Sequence, residues 1–366
     1  MRRKLHIGWL WSSILLMLLT ACSSSDGTGE REPAMLTIYV YSPDNPMLIR
    51  AAVGNVNPTE AESRVTKLQI WIFETNTGNL VGYLNTSITD GLNTGTGASY
   101  QIPVSDDFAS RKPDVDVYVL ANVTEGTCGY VLNENTTRTN LQDAVLDADH
   151  FGLSSPVSVV SDDGIPMAGV LRNQPVIGDA PVLRIGSIGS IATVSLARVV
   201  SKLRFVFATT GPATLTIKDI QLNSGMIPVK GYLIPRSMST VTYNNSEVSL
   251  LSSPVSLDGE VEDPTIYIYS GQEAQTYETL INGAGLTTIG PFYLHESDKR
   301  LTGKISYSIG DEDKESTFQM EAAGDFLRNH TWIVYGYHTG GGFLQMNTIY
   351  VKDWANKTES HEVYNW

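Results

Sequence analysis

Short apolar runs with period-two alternation, broken by glycine, proline, serine, threonine and asparagine, set the limits on what this chain can fold into. In Val65 to Phe73, the side chains of Leu68, Ile70 and Ile72 fall on one face, as in a half-buried strand. Leu36-Thr37-Ile38-Tyr39-Val40-Tyr41 alternates in the same way, and Pro43 and Pro46 end it. Gly78-Asn79 marks a turn before Leu80 to Leu84. Asp116 to Val123 is nearly continuously apolar with high β-propensity, which predicts a central strand. Further strands are expected at Ala192 to Leu196, Lys202 to Phe207, Ala213 to Ile220, Thr265 to Tyr269, Gly303 to Ile309, Ser316 to Met320, Thr331 to Tyr337 and Thr348 to Val351. Helical periodicity is confined to Thr139 to Asp147, where Leu141, Val145 and Leu146 lie near one face. The chain is therefore expected to be all-β, in two sandwiches. Arg198 to Lys202 is their expected join, because strands run up to it and a new one begins at once.

The first residues are of a different kind. Arg2, Arg3 and Lys4 precede an apolar stretch from Ile7 to Leu19, too short for a comfortable membrane span and suited to a signal peptide. It ends in Leu19-Thr20-Ala21-Cys22, which resembles a bacterial lipobox. That resemblance implies removal of residues 1–21 and acylation of the Cys22 thiol with fatty acids such as palmitate. A single acyl chain holds a protein weakly, whereas two or more hold it stably. Ser23 to Gly29 then supplies a flexible polar tether. Losing the three basic residues of 1–21 takes the net charge of the 366-residue chain from −14 to −17. Such an acidic body argues against nucleic acid and anionic membrane surfaces as ligands. The second cysteine, Cys128, has no partner in the chain once Cys22 is acylated and reads as a buried structural residue.

Five landmarks, in order and spaced along nearly the whole chain beyond Cys22, resemble the fimbrillin superfamily, the lipoprotein-precursor pilins of Bacteroidales. They are Arg50-Ala51-Ala52 with the acidic lead Glu60-Ala61-Glu62 into the strand ending at Phe73; Val117 to Asn122; Ile165-Pro166-Met167-Ala168-Gly169; Val194 to Lys202; and Leu327 to Val334 followed by Ile349-Tyr350-Val351-Lys352-Asp353-Trp354. The resemblance implies two tandem transthyretin-like β-sandwich domains. On that basis the chain divides into a signal peptide at 1–21, a lipidated propeptide with the first strand at 22–50, an N-terminal sandwich at 51–197 and a C-terminal sandwich at 198–366 with a possible donor tail.

The resemblance also implies an assembly mechanism, in which an arginine-specific protease removes the first strand and a neighbouring subunit fills the groove. Arg50 matches the cleavage position, with Ala51 as the new first residue, and the segment before it is proline-rich and loop-like. Arg31 precedes the strand, so cutting there leaves the groove closed, and Arg64 opens a predicted core strand. In the tail, Ile349, Val351 and Val363 carry apolar side chains, and Tyr350, Tyr364 and Trp366 are large anchors, so this segment is the candidate donor. The alternative is that residues 348–366 complete their own sandwich. Expected partners are other copies or related fimbrial subunits, the protease, and the outer membrane through Cys22.

Catalytic constellations are not apparent. His150, His295, His330, His338 and His361 are scattered, and His330 and His338 would lie about 27 Å apart on a strand, beyond joint ligation of a metal. Asp147-Ala148-Asp149-His150 and Asp311-Glu312-Asp313 lack the full ligand pattern of a calcium loop and read as solvated turns. Gly340-Gly341-Gly342 lacks the lysine of a phosphate loop and reads as a hairpin turn or hinge. No cofactor is expected, and a hydrolase is disfavoured. The leading expectation is a non-enzymatic pilin subunit at the outer membrane and in a fimbrium, supporting adhesion. Its alternatives are a fimbrial anchor or tip subunit, and a surface glycan-binding lipoprotein stacking sugars on Trp71, Trp332 or Trp354.

Overall fold

The alternating run at 65–73 becomes β2 (Lys67–Glu74), and its partners follow from the side chains it must bury. This computed structural model describes residues 33–41, 59–89, 97–128, 131–146, 160, 162–210, 214–257, 259–267, 283–320 and 326–351. From Ala34 onward the chain forms one compact unit. β2 lies between β3 (Leu80–Ser87) and β5 (Val115–Ala121), and β6 (Met167–Gln174) and the short β11 (Ala197–Arg198) extend the sheet in the order β11-β6-β5-β2-β3. All its pairings are antiparallel. Every residue of β5 is buried, because both faces of this sheet are covered. Asn122 then turns the chain at a φ of 59°. Its side chain accepts from Thr66 N at 2.9 Å and donates to the carbonyls of Arg64 and Ile165 at 2.7 and 2.8 Å.

Facing this sheet is another built on β1 (Ala34–Tyr41), with β4 (Gly97–Val104), β7 (Val176–Asp179), β8 (Val182–Ser187), β9 (Ser190–Ile191) and β10 (Thr193–Ser195). Leu36, Ile38, Leu68, Ile70, Val117, Val119, Leu183 and Val194 meet in the core between the two.

The path crosses to a second pair of sheets at Val199, directly between β11 and β12 (Val200–Thr209). β12 sits between β16 (Thr287–His295) and β19 (Thr331–His338), and β20 (Gln345–Val351) forms the edge beside β19. The opposing sheet contains β13 (Leu215–Leu222), β14 (Val248–Ser249), β15 (Val255–Leu257), β17 (Thr302–Ile309) and β18 (Glu312–Gln319). Phe205, Phe207, Phe292, Phe318 and Trp332 fill this second core. A third apolar cluster covers the outer face of β2 and β5: Trp71, Tyr118 and Leu120 pack with Cys128, Leu141, Leu233, Ile234 and Tyr293. It joins the two sheet pairs.

Among the described residues of the first half, four short helices punctuate the strands: α1 (Glu60–Ser63), α2 (Asp106–Arg111), α3 (Glu125–Cys128) and α4 (Arg138–Gln142). The helix expected at 139–147 is shorter than its periodicity suggests. Val145 instead bridges to Tyr232, and Leu146 N donates to Gly231 O at 2.7 Å. The strand expected at Thr265 to Tyr269 is a correction, since Pro264–Tyr267 is a 3-10 turn. Asp263 Oδ1 accepts from Thr265 N at 2.9 Å and from Thr265 Oγ1 at 2.5 Å, and this local bonding competes with sheet pairing.

Candidate functional site

β1 lies inside its sheet, bonded along both edges. On one side it runs antiparallel to β4 over its whole length, from Ala34 opposite Val104 to Tyr41 opposite Gly97. On the other, Met35–Thr37 pair in parallel with Val182–Arg184 of β8, and Tyr39–Tyr41 with Thr193–Ser195 of β10. Between those two stretches the wall detours through the β8–β9 hairpin. Ala34, Leu36, Ile38 and Val40 face the core at 0–1% exposure. Burial of the three larger side chains stabilises the strand by about 2 kcal/mol each. A first strand with this placement leaves, on removal, a groove with an apolar floor and two rows of open backbone groups.

α1 is fastened to the second sheet pair by a buried charge cluster. Thr59 and Glu62 form a capping box: Glu62 N donates to Thr59 Oγ1 at 3.3 Å and Thr59 N to Glu62 Oε2 at 2.8 Å. The same carboxylate accepts from Lys202 Nζ on β12 at 2.9 and 3.0 Å and from Tyr293 OH on β16 at 2.6 Å. Arg198 Nε donates to Glu62 O at 2.9 Å, and Arg198 Nη1 donates to Asn329 Oδ1 at 3.2 Å. Glu62, Lys202 and Arg198 are all 0% exposed. Burial alone would drive Glu62 towards neutrality. The Lys202 charge and the hydrogen bonds from Tyr293, Lys202 and Thr59 outweigh it and lower the carboxyl to about 2. For Lys202, burial prevails over the attraction of Glu62 and lowers the ammonium. Burial, followed by the Glu62 charge, raises the Tyr293 hydroxyl.

Several residues singled out in the sequence lie outside the described residues: Cys22, Arg50, Ala51, Val363, Tyr364 and Trp366, together with His150, His361 and Trp354. Ile349 and Val351 belong to β20, opposite Ile333 and Thr331 of the chain's own β19. Trp71 and Trp332 are completely buried, so neither offers a face to a sugar. Arg64 ends α1 half-buried, with its carbonyl bonded to Asn122. Cys128 is buried with Sγ 3.3 Å from Thr124 O. His295 is buried against Pro228 O, and His330 and His338 flank opposite ends of β19. Among the described residues, no group of three His, Cys, Asp or Glu is placed to hold a metal ion, and no helix is long and apolar enough to cross a membrane. Sequence reasoning missed the cluster around Glu62. Its available signals were the capping-box spacing of Thr59-Glu60-Ala61-Glu62 and a lysine set inside the apolar run of β12.

Neither protein-family models nor curated protein sequences give a match to this chain. Solved structures do. A candidate cell adhesion protein from Parabacteroides distasonis is similar over 89% of this chain and 99% of its own, at 15% identity and a TM-score of 0.54. Another from Bacteroides eggerthii is similar over 90% of this chain and 98% of its own, at 11% identity and a TM-score of 0.50. These two likenesses show that the fold is shared with solved cell adhesion proteins of this kind. The tip fimbrial protein Mfa3 from Porphyromonas gingivalis aligns over 88% of this chain and 99% of its own, at 16% identity and a TM-score of 0.49. At such identities the likeness to the first two structures is one of fold.

Proposed function

We propose that this protein is a structural subunit of a cell-surface fimbrium that supports adhesion. It is exported as a lipoprotein precursor acylated at Cys22, freed of β1 by an arginine-specific protease acting after Arg50, and joined to its neighbours by strand exchange. The observation that carries this reading is the placement of β1. It is the first strand of the body, fills an inner position between β4 and β8/β10, and connects onward through residues 42–58, which contain Arg50. A cut there severs β1 from every later strand while leaving its sheet partners on one chain. A replacement strand would recover both the apolar burial and the open backbone bonds.

Further support comes from β20. Its Thr348-Ile349-Tyr350-Val351 repeats Thr37-Ile38-Tyr39-Val40 of β1 residue for residue. β20 is an edge strand, reached from β19 through Gly340-Gly341-Gly342, where an added Cβ would meet nothing within 4 Å at Gly340 and Gly341. Such a strand can serve its own sheet or a neighbour's groove, which favours a shaft subunit over a lipid-retaining anchor or tip. The burial of Trp71 and Trp332 weighs against the glycan-binding alternative. The test is to cut the purified chain after Arg50 and follow its size by light scattering. Growth of polymers that an excess of a peptide of residues 33–41 suppresses supports the reading; a cut chain that stays monomeric at all concentrations contradicts it.

A further inference from the structure

The outward face of β1 shows a size match with β4 that the apolar core does not require. Met35 stands opposite Pro103, Thr37 opposite Gln101, Tyr39 opposite Ser99 and Tyr41 opposite Gly97. The two tyrosines thus fall opposite the two smallest outward residues of β4. Both tyrosines are half-buried although they lie on the solvent side of the sheet. At the last pair the fit is closest, since a Cβ built on Gly97 would stand 2.5 Å from Tyr41 Cδ1 and 2.8 Å from its Cζ. Real Cβ contacts do not come that near, so any side chain at position 97 displaces the ring. The backbone of Tyr41 is fixed as well, its carbonyl accepting from Leu196 N at 2.8 Å. The ring therefore lies over the glycine from a strand end that is bonded on both sides. Glycine within a strand costs stability through chain entropy and gives a neighbour nothing to pack against. Covering it with an aromatic ring from the adjacent strand offsets that loss.

We propose that Gly97, helped by Ser99, determines which strands the groove accepts. It is a socket for an aromatic side chain, and it selects an extended occupant running antiparallel to β4 with aliphatic residues facing inward and aromatic residues at the outward positions of Tyr39 and Tyr41. By this criterion a strand aligned on residues 348–351 meets the first position with Tyr350 but sets Lys352 at the second, and so ranks below the β1 sequence. The inward residues supply affinity that any aliphatic strand provides, whereas the outward aromatics supply discrimination and fix the register. A slip by one residue turns the aromatic side chains into the core; a slip by two sets Tyr39 against Gln101 in one direction and carries Tyr41 past the end of β4 in the other. This inference rests on the strand-exchange reading above and adds the chemistry of the strand that is exchanged.

The experiment uses the full chain cut after Arg50, with labelled peptides of residues 33–41 added to replace the resident strand. The native peptide should be retained about two- to tenfold longer than its Tyr41→Ala form, in line with the ~0.5–1.5 kcal/mol value of an aromatic contact. On a Gly97→Val protein this preference should vanish or reverse, because the valine occupies the place of the ring. The peptide comparison on the native protein stands alone if Gly97→Val does not fold. Equal retention of the two peptides by the native protein would overturn the socket, as would a folded Gly97→Val protein that still prefers tyrosine. If the cut native protein exchanges no peptide, its own β1 sequence included, the strand-exchange reading fails and the socket with it.

Discussion

Glu62 and Lys202 stand 140 positions apart in the chain, yet the Lys202 ammonium lies 2.9 Å from the Glu62 carboxylate with both side chains at 0% exposure. One is on α1, directly after the segment that follows Arg50, and the other is on the first strand of the second sheet pair. This contact fastens α1 by bonds that do not involve β1. Loss of β1 would therefore leave α1 held in place.

Removing one partner of the pair should cost far more than removing both. Lys202→Met leaves a buried, uncompensated carboxylate and should lower unfolding free energy by about 3–5 kcal/mol. Lys202→Met combined with Glu62→Gln should be clearly milder. Denaturant unfolding of these two variants and of Glu62→Gln alone reads this directly, and additive losses would show that the two groups are not coupled.

Acid should find the same joint. The native Glu62 carboxyl is lowered from 4.5 to about 2, so the unfolded chain binds the proton more readily in that range. Stability from this group is fully present above pH ~4.5 and is lost as the pH falls through about 2, a loss of about 3 kcal/mol. Glu62→Gln should flatten that part of the stability profile. An unchanged acid slope in the variant would remove Glu62 from the account.

Truncations separate the two parts of the tail. Deleting Thr348 to Trp366 removes the β20 residues that face Thr331 to Val334, and should lower the melting temperature by several degrees. Ending the chain after Val351 should leave melting unchanged. If the longer deletion melts like the full chain, β20 is a spare strand whose only role is donation.

At the other end, Cys22→Ala should abolish fatty-acid labelling and leave unprocessed precursor in the inner membrane. Unchanged labelling and unchanged delivery to the outer membrane would contradict the lipoprotein assignment.

The strands legible in the sequence are those whose apolar pattern decides their position. β2, β12 and β19 sit where period-two or continuous apolar runs place them, because their side chains fill the cores. β4 was not legible. Its sequence Gly-Ala-Ser-Tyr-Gln-Ile-Pro-Val looks like a loop, and of its side chains only those of Ile102 and Val104 are fully buried. Pairing with β1 along its whole length makes it a strand. The charged joint was hidden for a related reason. Charged residues such as Glu62 and Lys202 are seldom buried, and only a contact between distant parts of the chain makes their burial tolerable. β1, by contrast, was legible from the strict alternation of Leu36 to Tyr41.

The most direct test of the central claim is the N-terminal residue of the protein in polymers sheared from the cell surface. Cleavage and strand exchange predict Ala51 in the polymer, and an Arg50→Ala strain that accumulates lipidated monomers. Polymers of normal length that begin at acylated Cys22, or that form unchanged in the Arg50→Ala strain, would contradict it.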